Sequence, residues 1–232
     1  MSIALAEEHQ ELARVARAFL DSNEARGQSR ALLEAPSEHL PSFWKEMADL
    51  GWLGLHIDEA HGGQGFGLPE LSVIIEALGF AVAPGPFLPT TLVSALIAEC
   101  GSEAIREALL PGLADGSLIG AVGLGGDLEI DEEGQLNGSA GLVLAAAVAQ
   151  VVAVCVSGDV VLLTPDQAGL SIQPQKNTDP SRRVCAVRCD SVRVSESNHM
   201  VGAQQTLKRL ARTLSAAEAA GGARACTEMA TA

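Results

Sequence analysis

The stretch HGGQGFGLPELSVIIEALG, residues 61–79, sets this chain on one of two courses: a nucleotide-binding loop or a turn between helices. It places four glycines between residues 62 and 67, directly before an apolar segment with helical spacing. A glycine loop between a strand-like WLGLHI and a helix invites the phosphate reading, in which backbone N–H groups cradle a pyrophosphate. The spacing argues against it. Gly63, Gly65 and Gly67 form G-x-G-x-G rather than G-x-G-x-x-G, and a P-loop requires Lys and Ser/Thr where Leu68 and Pro69 stand. The other course is a long turn in which glycines supply positive φ and Pro69 opens the next helix, where its missing N–H costs nothing.

Outward from this stretch, the spacing from residue 3 to about 113 is helical. Leu12, Val15, Ala16, Phe19 and Leu20 recur at three and four and predict a first amphipathic helix. PSFWKEMADLG gathers Phe43, Trp44, Met47 and Leu50 on one face, with Gly51 as its C-terminal cap. LPELSVIIEALG gathers Leu71, Ile74, Ile75 and Leu78 and closes on Gly79. TTLVSALIAEC and SEAIREALL predict two more helices, the second capped by Ser102. After LPGLADGS the pattern changes to short β-branched runs: LIGAVGL, GLVLAAAVAQVVAVCV, DVVLLTP, GLSIQP and RRVCAVRCDSVRV. With turns at Glu133-Gly134, Asn137-Gly138 and Gly158-Asp159, these predict an antiparallel barrel or sandwich. Helical spacing returns at Gln204. The expectation is an α+β multidomain chain: an N-terminal all-α domain at 1–116, an antiparallel β-barrel or sandwich domain at 117–203, and the start of a C-terminal helical domain at 204–232.

Composition narrows the function classes. The chain has 232 residues, 47% of them hydrophobic, enough to bury a substantial core. Its net charge is −14 and no Lys/Arg cluster is dense enough to track a phosphate backbone, so nucleic acid is not an expected partner. Five cysteines at unrelated spacings, with Cys185-x3-Cys189 lacking a nearby His pair, read as buried hydrophobes in a reducing compartment and not as a zinc site. MSIALAEEHQ carries acid where an export signal needs base. The longest apolar run, 16 residues, is interrupted by Gln150, and a membrane-spanning helix needs ~20. A cytoplasmic protein with no membrane partner is expected. Asp127, Glu129, Asp131, Glu132 and Glu133 before Gly134 miss the EF-hand order and read as a solvated acidic hairpin, so no metal is expected.

One long match and two shorter ones then carry a family resemblance. LGWLGLHIDEAHGGQGFGLPELSVIIEALGFAVAPGPFLPT is similar to a run in the helical first domain of the acyl-CoA dehydrogenases, and LLPGLADGS resembles their passage into the β domain. DPSRRVCAVRCDSVRV followed by HMVG resembles the segment that closes that domain. By this resemblance the glycine loop joins two helices and holds no phosphate. The family's reaction removes a proton from Cα and a hydride from Cβ of an acyl-CoA, passes the hydride to FAD and leaves a trans-enoyl thioester, with electron-transfer flavoprotein as acceptor. It calls for a carboxylate base facing the flavin across the acyl chain in a dry site.

The resemblance implies site residues. The flavin-contacting motif aligns with GAVGLGGD, which makes Ala121, Val122 and Gly123 cofactor candidates, and a second element aligns with Leu142, Val143, Leu144 and Ala145. The family's hydroxyls are absent: Gly123 and Leu144 stand in their places, and Leu124 replaces an acid. Each lost hydrogen bond is worth ~0.5–1.5 kcal/mol. The acyl chain is expected against VIIEALG and APGPF, with Ile75, Glu76, Leu78, Gly79 and Phe87 as candidates, and the AP-x-P variant resembles members acting on bulky, branched or steroid-derived esters. Lys176, Arg182, Arg183 and Arg188 would either meet the CoA phosphates or form a salt-bridged surface. The family's base lies in the C-terminal helical domain, of which this sequence carries the first helix, so no catalytic residue is named. Two functions follow: flavin-dependent α,β-dehydrogenation of an acyl-CoA in lipid or steroid breakdown, or a non-catalytic partner subunit with a degenerate FAD site, in a homo- or hetero-oligomer.

Overall fold

The computed structural model describes residues 7–231. Six helices come first: α1 (Glu7–Ser22), α2 (Ala25–Leu32), α3 (Trp44–Asp49), α4 (Leu68–Ala81), α5 (Phe87–Cys100) and α6 (Glu103–Ala114). Eight strands follow: β1 (Gly120–Gly123), β2 (Glu129–Ile130), β3 (Gln135–Leu144), β4 (Val151–Val156), β5 (Asp159–Leu163), β6 (Leu170–Gln175), β7 (Val184–Arg193) and β8 (His199–Met200). A long helix, α7 (Gln204–Thr231), ends the described chain.

Helix α1 buries Ala16 and Leu20, and its Phe19 meets Phe43 and Trp52 edge to face at centroid distances of 6.1 and 4.9 Å. Trp44 donates its indole N–H to the Gly116 carbonyl at 3.0 Å, tying α3 to the exit from the helical domain. WLGLHI forms no strand; it is a 3-10 turn at Trp52–Gly54 followed by bends. The glycine stretch is the turn into α4, with Gly62 and Gly65 at φ 83° and 69°, and the Gly67 N–H donates to the Glu70 carboxylate at 3.0 Å. A Cβ on Gly63 would lie 2.0 Å from the Ile57 carbonyl, so this glycine answers a close backbone approach and no ligand.

Helix α4 does not stop at Gly79. It runs to Ala81 and is capped by Val82 in the left-handed region at φ 50°. Gly79 sits inside the helix because α7 crosses there. A Cβ on Gly79 would lie 2.1 Å from the Glu218 carbonyl, and one on Gly221 would lie 2.0 Å from the Glu76 carbonyl. Two glycines facing each other let the helix backbones touch, and sequence periodicity alone reads the first of them as a stop signal. Helix α2 has no counterpart in the sequence reading; its apolar positions are few, and Ala25, Ser29 and Leu32 are buried by their neighbours.

The strand order is β6-β7-β3-β1-β4-β5-β8, with β2 paired to β3. Every pair is antiparallel except β1 and β4, which run parallel from Gly120↔Val151 to Gly123↔Val154, so the sheet is mixed. The run GLVLAAAVAQVVAVCV divides into two strands. Ala145, at φ 61°, leaves β3, and the chain re-enters at Val151 after the Gln150 side chain accepts from the Ile119 N–H at 2.9 Å. Asn137-Gly138 is a bulge inside β3 and not a hairpin turn: Gly138 has φ 109°, and a Cβ there would meet the Asp127 carbonyl at 2.6 Å. Strand β4 is buried at all six positions, which explains its unbroken apolar sequence. The sheet meets the helices where the Gly120 N–H donates to Thr90 Oγ1 at 3.1 Å.

All five cysteines are free, with Cys155, Cys185 and Cys189 buried and Cys226 exposed on α7. Burial pushes the Cys189 thiol up to about 11. Thiol titration of denatured, unreduced protein is expected to return all five groups, with Cys226 reacting first in the folded state; three or fewer would contradict the free-thiol arrangement. Among the described residues, no helix is long and apolar enough to cross a membrane.

Candidate functional site

Two regions carry the residues singled out above. The first is the junction of β1 and β3, where Val122 pairs with Leu144. The fold therefore brings both cofactor-candidate segments together as neighbouring strands. Their side chains divide by the two-residue period of a strand. Ala121 and Val143 are fully buried, and a Cβ on Gly123 would lie 3.1 Å from Val143 and 3.3 Å from Ala140 and Val154. Position 123 thus faces the interior of the β domain. Toward solvent stand Leu124, 41% exposed, and Leu142, 65% exposed, with Leu144 half-buried and open space around Gly125.

The polar side chains nearest this edge are already committed. Asp127 Oδ1 accepts from the Ser139 N–H at 2.8 Å, and Ser139 Oγ accepts from the Gly141 N–H at 3.1 Å. An isoalloxazine ring needs donors to its oxygen and nitrogen edges, and its pyrophosphate needs cations or a row of N–H groups. Leu124 and Leu142 supply an apolar surface and main-chain groups only, so the side chains of this edge do not fit FAD as a self-sufficient site.

The second region is the crossing of α4 and α7. Ile75, Leu78 and Phe87 are core residues, exposed by 1%, 4% and 3%, and Gly79 is the crossing point itself. Of the substrate candidates only Glu76 reaches the surface, where its carboxylate lies 3.9 Å from Arg17 and 3.6 Å from Arg224. Beside it opens a cavity of about 640 Å³ whose apolar wall comes from Leu20 of α1, Ala77, Phe80 and Ala81 of α4, and Ala225 and Met229 of α7. Arg17 lies over the Phe80 ring, 4.7 Å from its centroid, at one side of that cavity. Ala77, Phe80 and Ala81 were missed in the sequence because periodicity marks apolar residues without saying which face a neighbouring helix leaves uncovered.

The basic group is dispersed. Arg182 donates twice to Glu218 of α7, at 2.5 and 2.9 Å, and reaches the Ala83 carbonyl at 3.4 Å. Arg183 donates to the carbonyls of Ala35 and Pro36. Arg182 thus ties the approach to β7 to α7 and to the segment after α4, and Arg183 ties it to the segment after α2; Lys176 and Arg188 are exposed. In the acidic hairpin, Asp131 accepts from the N–H groups of Glu133 and Gln135 and from the Asn137 amide, so it organises its own turn. Among the described residues no three potential ligands gather as for a metal ion. His56 and Ser94 lie 3.0 Å apart, but Ser94 is fully buried within α5 and burial holds the imidazole down to about 4. With no route for a substrate, this pair is a packing contact between neutral groups.

Residues 6–117 match the family model for the N-terminal domain of acyl-CoA dehydrogenases. The chain is 38% identical to acyl-CoA dehydrogenase FadE12 of Mycobacterium tuberculosis over 86 residues, 35% of this chain and 21% of the relative. It is 30% identical to acyl-CoA dehydrogenase IpdE2 of the same species over 202 residues, covering 86% of this chain and 55% of the relative. The solved Tcur3481-Tcur3483 steroid ACAD superposes with a TM-score of 0.83 at 29% identity, over 96% of this chain and 65% of that one. The chain therefore spans about half the length of the IpdE2 relative and about two thirds of the steroid ACAD chain.

Proposed function

The chain belongs to the acyl-CoA dehydrogenase family, and from that premise we propose that it serves the α,β-dehydrogenation of an acyl-CoA thioester as a partner half whose own flavin face is degenerate. When bound, FAD supplies the hydride acceptor of this reaction. The observation that carries the proposal is the β1–β3 edge: position 123 faces inward, and Leu124 and Leu142 present hydrocarbon where the cofactor would need hydrogen bonds. The similarity to a steroid ACAD named for two chains supports a heteromeric assembly, with electron-transfer flavoprotein as the acceptor of the whole complex. The cavity of about 640 Å³ near Glu76, with one apolar wall and a charged rim of Arg17, Asp21, Glu24, Arg26 and Glu228, has the volume for a bulky, branched or steroid-derived acyl group. No residue of this chain is assigned as the base; Glu218 is held by Arg182. The free thiols and acidic charge support a cytoplasmic setting.

The visible absorption of the purified chain tests this. It is expected to be colourless, because the edge offers FAD only hydrocarbon and main-chain groups, and the hydroxyl missing at half-buried Leu144 by itself weakens binding about fivefold at ~1 kcal/mol. Gly123→Thr is expected to add no flavin, because its side chain would press into Val143, Ala140 and Val154 and cost ~1–3 kcal/mol by overpacking. Stoichiometric flavin on the chain alone, or turnover of a CoA ester with an artificial acceptor, would favour the variant-catalyst reading instead.

A further inference from the structure

We propose that the groove between α6 and the β5 end of the sheet binds a small amphipathic carboxylate, with Arg193 as its anchor. This cavity of about 440 Å³ shares no lining residue with the α4–α7 cavity or with the β1–β3 edge. Its volume lies within the ~300–1,000 Å³ range of small-molecule sites.

The helix contributes Ala104 and Ala108, one turn apart and both exposed, with Ile105 and Leu109 beside them. Two methyl side chains on one face keep the helix surface low and open the groove, and Leu162 of β5 supplies the facing wall. The rim is fixed by its own hydrogen bonds. The Ser195 N–H donates to Asn198 Oδ1 at 2.8 Å, the Leu162 N–H to the Asn198 carbonyl at 2.7 Å, and the Thr164 N–H to Gln167 Oε1 at 3.0 Å. A rim that satisfies itself is pre-organised and loses little entropy when a ligand enters.

Within this rim the Arg193 guanidinium makes no hydrogen bond or ion pair with any described residue, and no Asp or Glu lines the groove. In a chain of net charge −14, most arginines hold carboxylates or carbonyls; Arg30, Arg188 and Arg212 share the lack of a side-chain partner with Arg193, but of these four it is Arg193 that lines one of the cavities described. A guanidinium takes a carboxylate through two parallel N–H···O bonds, while an apolar tail covers the alanine floor. One cation matches one negative charge, which selects a monocarboxylate over a phosphate dianion, and an amine is opposed.

Octanoate is the probe. Calorimetric titration of the full chain is expected to show one octanoate bound, with octylamine and octanol much weaker. Arg193→Gln, at an exposed position, is expected to weaken octanoate about fivefold, as the loss of an exposed ion pair does. Ala108→Leu fills the floor and is expected to abolish binding. Circular dichroism of both variants should match the parent, since neither side chain is buried. Absence of binding at millimolar octanoate overturns the proposal, and so does binding undiminished in both variants, which would place the ligand in another cavity. Neither result bears on the flavin test, because the two regions share no residue.

Discussion

Gly221→Ala is expected to destabilise the protein by about 3 kcal/mol, although alanine in an open helix position is favoured over glycine by ~0.5–1 kcal/mol. The added methyl would stand 2.0 Å from the Glu76 carbonyl and 2.7 Å from the Phe80 nitrogen, both backbone atoms that cannot rotate aside. Accommodating it means separating α4 from α7, and with them Glu76 from Arg224 and the Glu218 backbone from Gly79. Overpacking of this kind costs ~1–3 kcal/mol, and the lost interhelical contacts add to the upper end of that range. Gly222→Ala is the internal control. Its methyl would have only the Gly79 carbonyl within reach, at 3.8 Å, so intrinsic helix propensity should prevail and stability should rise slightly. Urea unfolding of the two variants reads the opposite signs, and a Gly221→Ala protein as stable as its parent would remove the backbone-contact account of this crossing.

Arg182→Ala is expected to cost about 2–3 kcal/mol. Arg182 and Glu218 are 24% and 19% exposed, and the arginine also reaches the Ala83 carbonyl, so one side chain joins the start of β7, the end of α4 and the middle of α7. Removing it leaves Glu218 poorly solvated without a counter-charge. Complete burial would make that loss ~3–5 kcal/mol, and the residual exposure lowers it. Lysine should rescue only part of the effect, because an ammonium cannot make the two parallel bonds and the carbonyl contact together. A double-mutant cycle with Glu218→Gln should give a coupling above ~1 kcal/mol; a cycle near zero would mean that the three elements are held by packing alone.

These two positions show how differently the sequence and the structure speak. The succession of helical and strand spacing, the Pro69 helix start and the Ser102 cap are local facts, set by periodicity and by which backbone N–H groups need partners. They are legible without a fold. Gly79 is not, since a glycine after an apolar run looks the same whether it ends a helix or admits another backbone. Asn137-Gly138 likewise carries the composition of a turn, and only the approach of the Asp127 carbonyl makes it a bulge. The long apolar run that divides at Ala145 has no internal signal beyond Gln150, because alanines pack equally well in a strand or a turn.

The candidate site follows the same division. The long match around the glycine loop and the shorter one at the β7 segment assign the chain to its family, and the absence of a hydroxyl at 123 and 144 is plain from the residues themselves. The pairing of Val122 with Leu144 brings those two absences to one edge, yet the direction in which position 123 points depends on strand register, which a one-residue shift would reverse. Arg182 and Arg183, near neighbours of Lys176 and Arg188 in the chain, are drawn to carbonyls and to Glu218 by elements far away in sequence. Residue order alone determined the local elements and the family, because these rest on spacing and on residue type. Which surfaces stay open, which glycines touch backbone and which cations stay unpaired were decided only when distant segments packed, because those properties belong to pairs of residues that the chain order does not bring together.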